Sequence, residues 1–165
     1  MILAPGTIAP TFDLPASDGD RVRLSLADLN SEGPALLAFF KSSCPVCRLS
    51  FPIWGELARR YGTAVAVVAV SQDPLAKGRS WLDDTYFFAP VVDDSHGFAA
   101  SRAYGVETVP TLVLIGADGR IVDASQGWDR KRANDWDVTL AELTGLPSAG
   151  PVSTSSDGLP AYRPG

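Results

Sequence analysis

Two short runs decide most of what this chain can become: Ala35-Leu36-Leu37-Ala38-Phe39-Phe40 and Ala64-Val65-Ala66-Val67-Val68-Ala69-Val70. Neither alternates polar with apolar. Each therefore reads as a strand buried on both faces, the kind found inside a parallel or mixed sheet covered by helices. Parallel neighbours need a crossover, and the residues between the runs supply one. From Pro45 to Tyr61, apolar residues fall at Val46, Leu49, Ile53, Leu57 and Tyr61, a helical stripe. Pro52 lies inside that stripe and is expected to kink the helix rather than end it.

The flanking segments fit the same plan. Thr11–Leu14 and Arg21–Leu24 alternate around the turn cluster Ser17-Asp18-Gly19-Asp20, which predicts an opening β-hairpin. Leu26–Leu29 is long enough for one helical turn before Gly33-Pro34. Helices are expected over Pro74–Asp84, Ser95–Tyr104 and Asp129–Leu143, with Ala133, Trp136, Leu140 and Leu143 on one face of the last. Strands are expected over Phe88–Asp93, Thr111–Ile115 and Arg120–Ala124, the last two joined by Gly116-Ala117-Asp118-Gly119. The sum is an α/β sandwich with a mixed central sheet. Residues 1–145 read as one domain. Residues 146–165 hold four Pro, three Gly and four Ser with almost no apolar periodicity, so a flexible tail is expected there.

Charge and targeting narrow the function classes. With 14 Lys+Arg against 19 Asp+Glu, and no basic run longer than Arg130-Lys131-Arg132, nucleic-acid binding is not expected. The first ten residues lack a basic stretch followed by an apolar core, and no apolar run approaches the ~20 residues that span a bilayer. A soluble, monomeric, cytoplasmic protein is expected, or an extracytoplasmic one if a signal segment has been removed.

Cys44 and Cys47 are the only cysteines, and His96 is the only histidine. Structural zinc wants four ligands, so the pair does not read as a zinc site, and no bound cofactor is expected. A lone Cys-x-x-Cys reads as a redox centre. The pair follows the first buried strand and opens the long helix, where unpaired N–H groups and the macrodipole favour a thiolate. Pro45 suits the first helical position because it has no N–H to leave unsatisfied. Cys44 is expected to attack, and Cys47, one turn deeper, to resolve the mixed disulfide.

Three further features carry a family likeness. Pro52 follows Cys47 by five residues, and Val109-Pro110-Thr111 precedes a strand that runs into the Gly-Ala-Asp-Gly turn. The opening Pro5-Gly6, Ala9-Pro10-Thr11-Phe12-Asp13-Leu14 and Asp18-Gly19 completes the set. Over about Pro5–Leu143 the chain resembles the thioredoxin superfamily, in its redoxin branch of TlpA/ResA-type oxidoreductases and AhpC/TSA proteins. The resemblance implies a thioredoxin-like three-layer sandwich with an added N-terminal β-hairpin and a central strand–helix insertion. It implies thiol–disulfide exchange with disulfide-containing or dithiol protein substrates, reset by an external thiol reductant. It also implies a cis Pro110 facing the dithiol, with the Val109 backbone ready to pair with an extended substrate.

Departures from the family pattern are equally readable. Ser43 stands where thioredoxins usually carry Trp. Ala38 replaces their buried carboxylate, and Ser50 stands where many TlpA-like proteins carry Glu. Lys41 and Glu107 are the charged residues left to help electrostatically. A peroxidase reading needs Pro-x-x-x-Thr/Ser-x-x-Cys, but the matching positions are Leu37 and Lys41 for Cys44, and Phe40 and Cys44 for Cys47. A copper-carrier reading wants a wider cysteine spacing plus a histidine, and His96 lies in a separate loop.

Overall fold

The computed structural model describes residues 1–165. In chain order the elements are β1 (Asp13–Asp18), β2 (Arg21–Ser25), α1 (Leu26–Asn30), β3 (Ala35–Phe40), α2 (Pro45–Tyr61), β4 (Ala66–Ser71) and α3 (Leu75–Asp83). There follow β5 (Val91–Asp93), α4 (Ala99–Ala103), β6 (Thr111–Ile115), β7 (Ile121–Gln126), β8 (Trp128–Asp129), α5 (Arg130–Thr144) and β9 (Tyr162–Arg163). The main sheet has the order β2-β1-β5-β4-β3-β6-β7. β3 and β4 are parallel, as the two apolar runs require, while β6 pairs antiparallel with β3 and β7 antiparallel with β6.

Register then places the chemistry. Phe40 pairs with Ser71, and Phe39 pairs with Thr111. The carboxyl ends of β3 and β4 and the start of β6 therefore share one rim, so Cys44, Asp73 and Pro110 are delivered to the same edge. The sheet is covered on both sides because adjacent side chains of a strand point oppositely. The Phe40 ring stacks on Trp81 of α3 at 4.9 Å and meets Phe51 of α2 at 5.2 Å. The neighbouring Phe39 ring instead meets Tyr104, just beyond α4, at 5.8 Å. This is the expected thioredoxin-like sandwich with a mixed sheet, and α2 runs unbroken through Pro52. No helix is long and apolar enough to cross a membrane.

Some expectations need correction. The expected strand over Phe88–Asp93 shrinks to three residues, because Pro90 has no N–H for a ladder and Phe88 is exposed. The expected helix over Ser95–Tyr104 starts only at Ala99, since Gly97 and Phe98 both take left-handed backbone (φ +82 and +54). Asp94 compensates by accepting the N–H groups of Ala100 and Ser101 at 2.9 and 2.8 Å.

The segment after Gly145, expected to be flexible on composition, lies along α2, α5 and β8. Arg60 donates to the Gly150 carbonyl at 2.6 Å, and Asn134 donates to Ser153 O at 2.9 Å while accepting Val152 N at 2.9 Å. Trp128 Nε1 donates to Pro160 O at 2.7 Å. Composition hid this because the anchors belong to α2, β8 and α5, not to the tail.

Candidate active site

The loop from Lys41 to Cys44 closes with the Cys44 N–H donating to the Lys41 carbonyl at 3.0 Å. Cys44 caps α2 with extended backbone, and Pro45 occupies the first turn. The Cys44 sulfur accepts the Cys47 backbone N–H at 3.2 Å. A sulfur in the N-cap position thus does what a Ser or Asp oxygen usually does, and the helix end favours its negative form. On its other side the Cys44 thiol donates to the Val109 carbonyl at 3.2 Å. The Val109–Pro110 bond is cis. Both cysteines are free thiols; Cys44 is half-buried and Cys47 has no exposed surface.

The two sulfurs are driven apart in acidity. The Cys47 thiol is the largest influence on Cys44 and lowers it; partial burial opposes this, and the N–H groups of Cys47 and Val46 add to the lowering, leaving Cys44 at about 6. Burial first, then the adjacent Cys44 sulfur, pushes Cys47 well above an ordinary thiol. Because only the thiolate reacts, alkylation of Cys44 by iodoacetamide is expected to rise with pH through about 6 and level off before pH 8. An ordinary thiol, with a pKa of about 8.5, would still be accelerating there. Rates followed by mass spectrometry from pH 4.5 to 9 check this, and a midpoint above 8 would contradict the arrangement.

The other sequence candidates fare unevenly. Lys41 enters through its backbone carbonyl, while its side chain is exposed. Glu107 pairs with the Met1 ammonium at 2.7 Å rather than with either sulfur. Ser50 is buried, with its hydroxyl directed at Cys47 O at 3.5 Å, and Ala38 is buried in β3. His96 is exposed, and its ring lies 4.0 Å from the Asp93 carboxylate. No group of three or more His, Cys, Asp or Glu side chains converges anywhere in the structure. Trp81 and Trp128 are both core residues.

Asp73 is the residue that sequence reasoning undervalued. It does not cap α3, whose N-cap position makes no side-chain cap bond; Asp93 accepts the Leu75 N–H at 2.9 Å instead. Asp73 is buried and accepts the Ser42 N–H at 2.7 Å, which braces the loop carrying Cys44. Lys77 pairs with its other oxygen at 3.1 Å. Burial alone would raise this carboxyl, but the Ser42 bonds and Lys77 outweigh it and hold it below the usual range. Its negative charge also helps to keep Cys47 protonated. Asp73 is thus the buried carboxylate of this site, contributed by the end of β4 where Ala38 of β3 has none.

The chain is similar to known proteins. The profile of the AhpC/TSA family matches residues 5–124. The thioredoxin-like protein YneN of Bacillus subtilis is 30% identical over 139 residues, 82% of this chain and 79% of that protein. The thiol-disulfide oxidoreductase ResA of the same organism is 28% identical over 128 residues, 76% of this chain and 69% of ResA. The crystal structure of a putative thiol:disulfide interchange protein DsbE from Chlorobium tepidum superposes with a TM-score of 0.75 at 28% identity, covering 87% of this chain and 99% of that one.

Proposed function

The chain belongs to the AhpC/TSA family, within the thioredoxin superfamily, and from that premise we propose that it is a thiol–disulfide oxidoreductase exchanging disulfides with protein substrates through Cys44 and Cys47. One observation carries this reading: a half-buried sulfur held at the first turn of α2 with a low pKa, backed by a fully buried second thiol in the next turn.

The Cys44 thiolate attacks one sulfur of the substrate disulfide. A Cys44–substrate S–S bond forms, the substrate S–S bond breaks, and its other sulfur leaves as a thiolate. Cys47, on losing its proton, attacks Cys44 Sγ; the intramolecular disulfide forms and the second substrate sulfur departs. Net, the substrate gains two electrons, and its two sulfurs take up the proton lost by Cys47 and one from water. An external thiol then reduces the Cys44–Cys47 disulfide. Val109 and Pro110 form the wall opposite Cys44 where the substrate segment lies. In a reducing compartment the pair stays in the dithiol form and works as a reductant.

The test is a paired assay on one preparation: reduction of insulin disulfides with dithiothreitol as donor, and consumption of hydrogen peroxide under the same donor. Insulin reduction above the dithiothreitol background, with slower peroxide loss, is the expected outcome. Peroxide turnover outpacing insulin reduction would replace the proposal with a peroxidase.

A further inference from the structure

The wall opposite Cys44 is already in contact with another part of the chain. Tyr162 and Arg163 pair antiparallel with Asp129 and Trp128. Beyond that pairing the segment crosses Gly127, where a Cβ would stand 2.9 Å from Arg163 O and 3.1 Å from Gly165 N. It arrives at Thr108 and Val109. A Cβ on Gly165 would stand 2.5 Å from the Val109 carbonyl oxygen, the same oxygen that receives the Cys44 thiol at 3.2 Å. Gly127 is itself tied to the site, since its N–H donates to Pro110 O at 2.8 Å.

We infer that Thr108–Val109 together with Gly127–Asp129 form a binding strip for an extended polypeptide, and that the chain's own Tyr162–Gly165 fills it until a partner takes its place. The partner chemistry follows from what sits there now. It is a strand-like segment that reads the backbone edge of Trp128–Asp129 and carries glycine where it crosses Val109. Strand addition of this kind gains affinity from main-chain hydrogen bonds and specificity from the side chains. The inference rests on the disulfide-exchange reading for its purpose, but not for its geometry.

The segment is seated to be displaced. Up to Ala161 the tail is firmly held: Arg130 donates its backbone N–H to Ala161 O at 2.9 Å and its guanidinium to Leu159 O at 2.6 Å. Residues 161–165 are all exposed, and no side chain among them is buried in the core. An occupant of this sort lowers apparent substrate affinity by the fraction of molecules whose strip is free.

The test compares the full chain with one ending at Ala161 and with Gly165→Val, whose side chain has no room beside Val109. Two readouts are taken: insulin reduction, and the rate of Cys44 labelling by a bulky polyethylene-glycol maleimide divided by the rate with N-ethylmaleimide. In both variants the labelling ratio is expected to rise about fivefold, the effect of removing one or two weak backbone hydrogen bonds. Insulin reduction should rise in step. Unchanged or lower ratios in both variants overturn the inference. If the ratios rise but no form of the protein reduces insulin, the strip stands and the exchange reading fails. Equal insulin reduction with unchanged ratios gives the opposite result.

Discussion

Cys44→Ser is expected to lower insulin reduction by at least about a thousandfold, to the background of the added thiol, because a serine hydroxyl is a weak nucleophile without an adjacent base. No such base is present: Ala38 and Ser50 are not carboxylates, and Asp73 is occupied by Ser42 and Lys77. Cys47→Ser should fail differently. Cys44 keeps its half-buried, accessible position and its place at the helix end, so the first attack proceeds once and the protein accumulates as a mixed disulfide. Loss of the Cys47 thiol removes the largest lowering influence on Cys44, so its alkylation midpoint should move upward from about 6. Non-reducing mass spectrometry after one equivalent of substrate separates the variants: a stable adduct for Cys47→Ser, none for Cys44→Ser. An adduct formed by Cys44→Ser through Cys47 would reverse the assignment of attacking and resolving sulfur.

The second large effect concerns stability. Phe51→Ala is expected to cost about 3–5 kcal/mol, the usual range for emptying a buried aromatic site. Phe51 is fully buried on α2, with ring centroids 5.2 Å from Phe40, 5.2 Å from Trp81 and 5.1 Å from Phe87. These rings join β3, α2, α3 and the loop before β5, so the cavity has no single flexible wall able to collapse into it. Against a typical total of about 5–15 kcal/mol, that is a large fraction. Urea unfolding followed by tryptophan fluorescence measures it. A loss below about 1 kcal/mol would mean that the cluster relaxes around the gap.

What the sequence made legible follows physical lines. The bounds of β3, α2 and β6 match the expected residues because apolar runs, helical spacing and Pro45 are local signals. Cys44 and Cys47 were placed for the same reason: a dithiol after a buried strand and before a helix has one address in such a fold. Less visible were features set by contacts distant along the chain. Asp73 is drawn toward Ser42, thirty-one positions earlier, and the Leu75 N–H at the start of α3 goes to Asp93, eighteen positions later. Trp128 is buried against Trp54, a partner far away in sequence, at 5.7 Å. The tail was unreadable because Arg60, Arg130 and Asn134, which hold it, look like ordinary surface residues of α2 and α5.

The unequal depth of the two sulfurs has a consequence for the return half of the cycle. Once the pair is oxidised the protein becomes the electrophile, and an incoming thiol can approach the sulfur of Cys44 but not that of Cys47. Regiochemistry is thereby fixed: donor and acceptor must each pass through an adduct on the same atom, so they compete for a single docking position and cannot be served simultaneously.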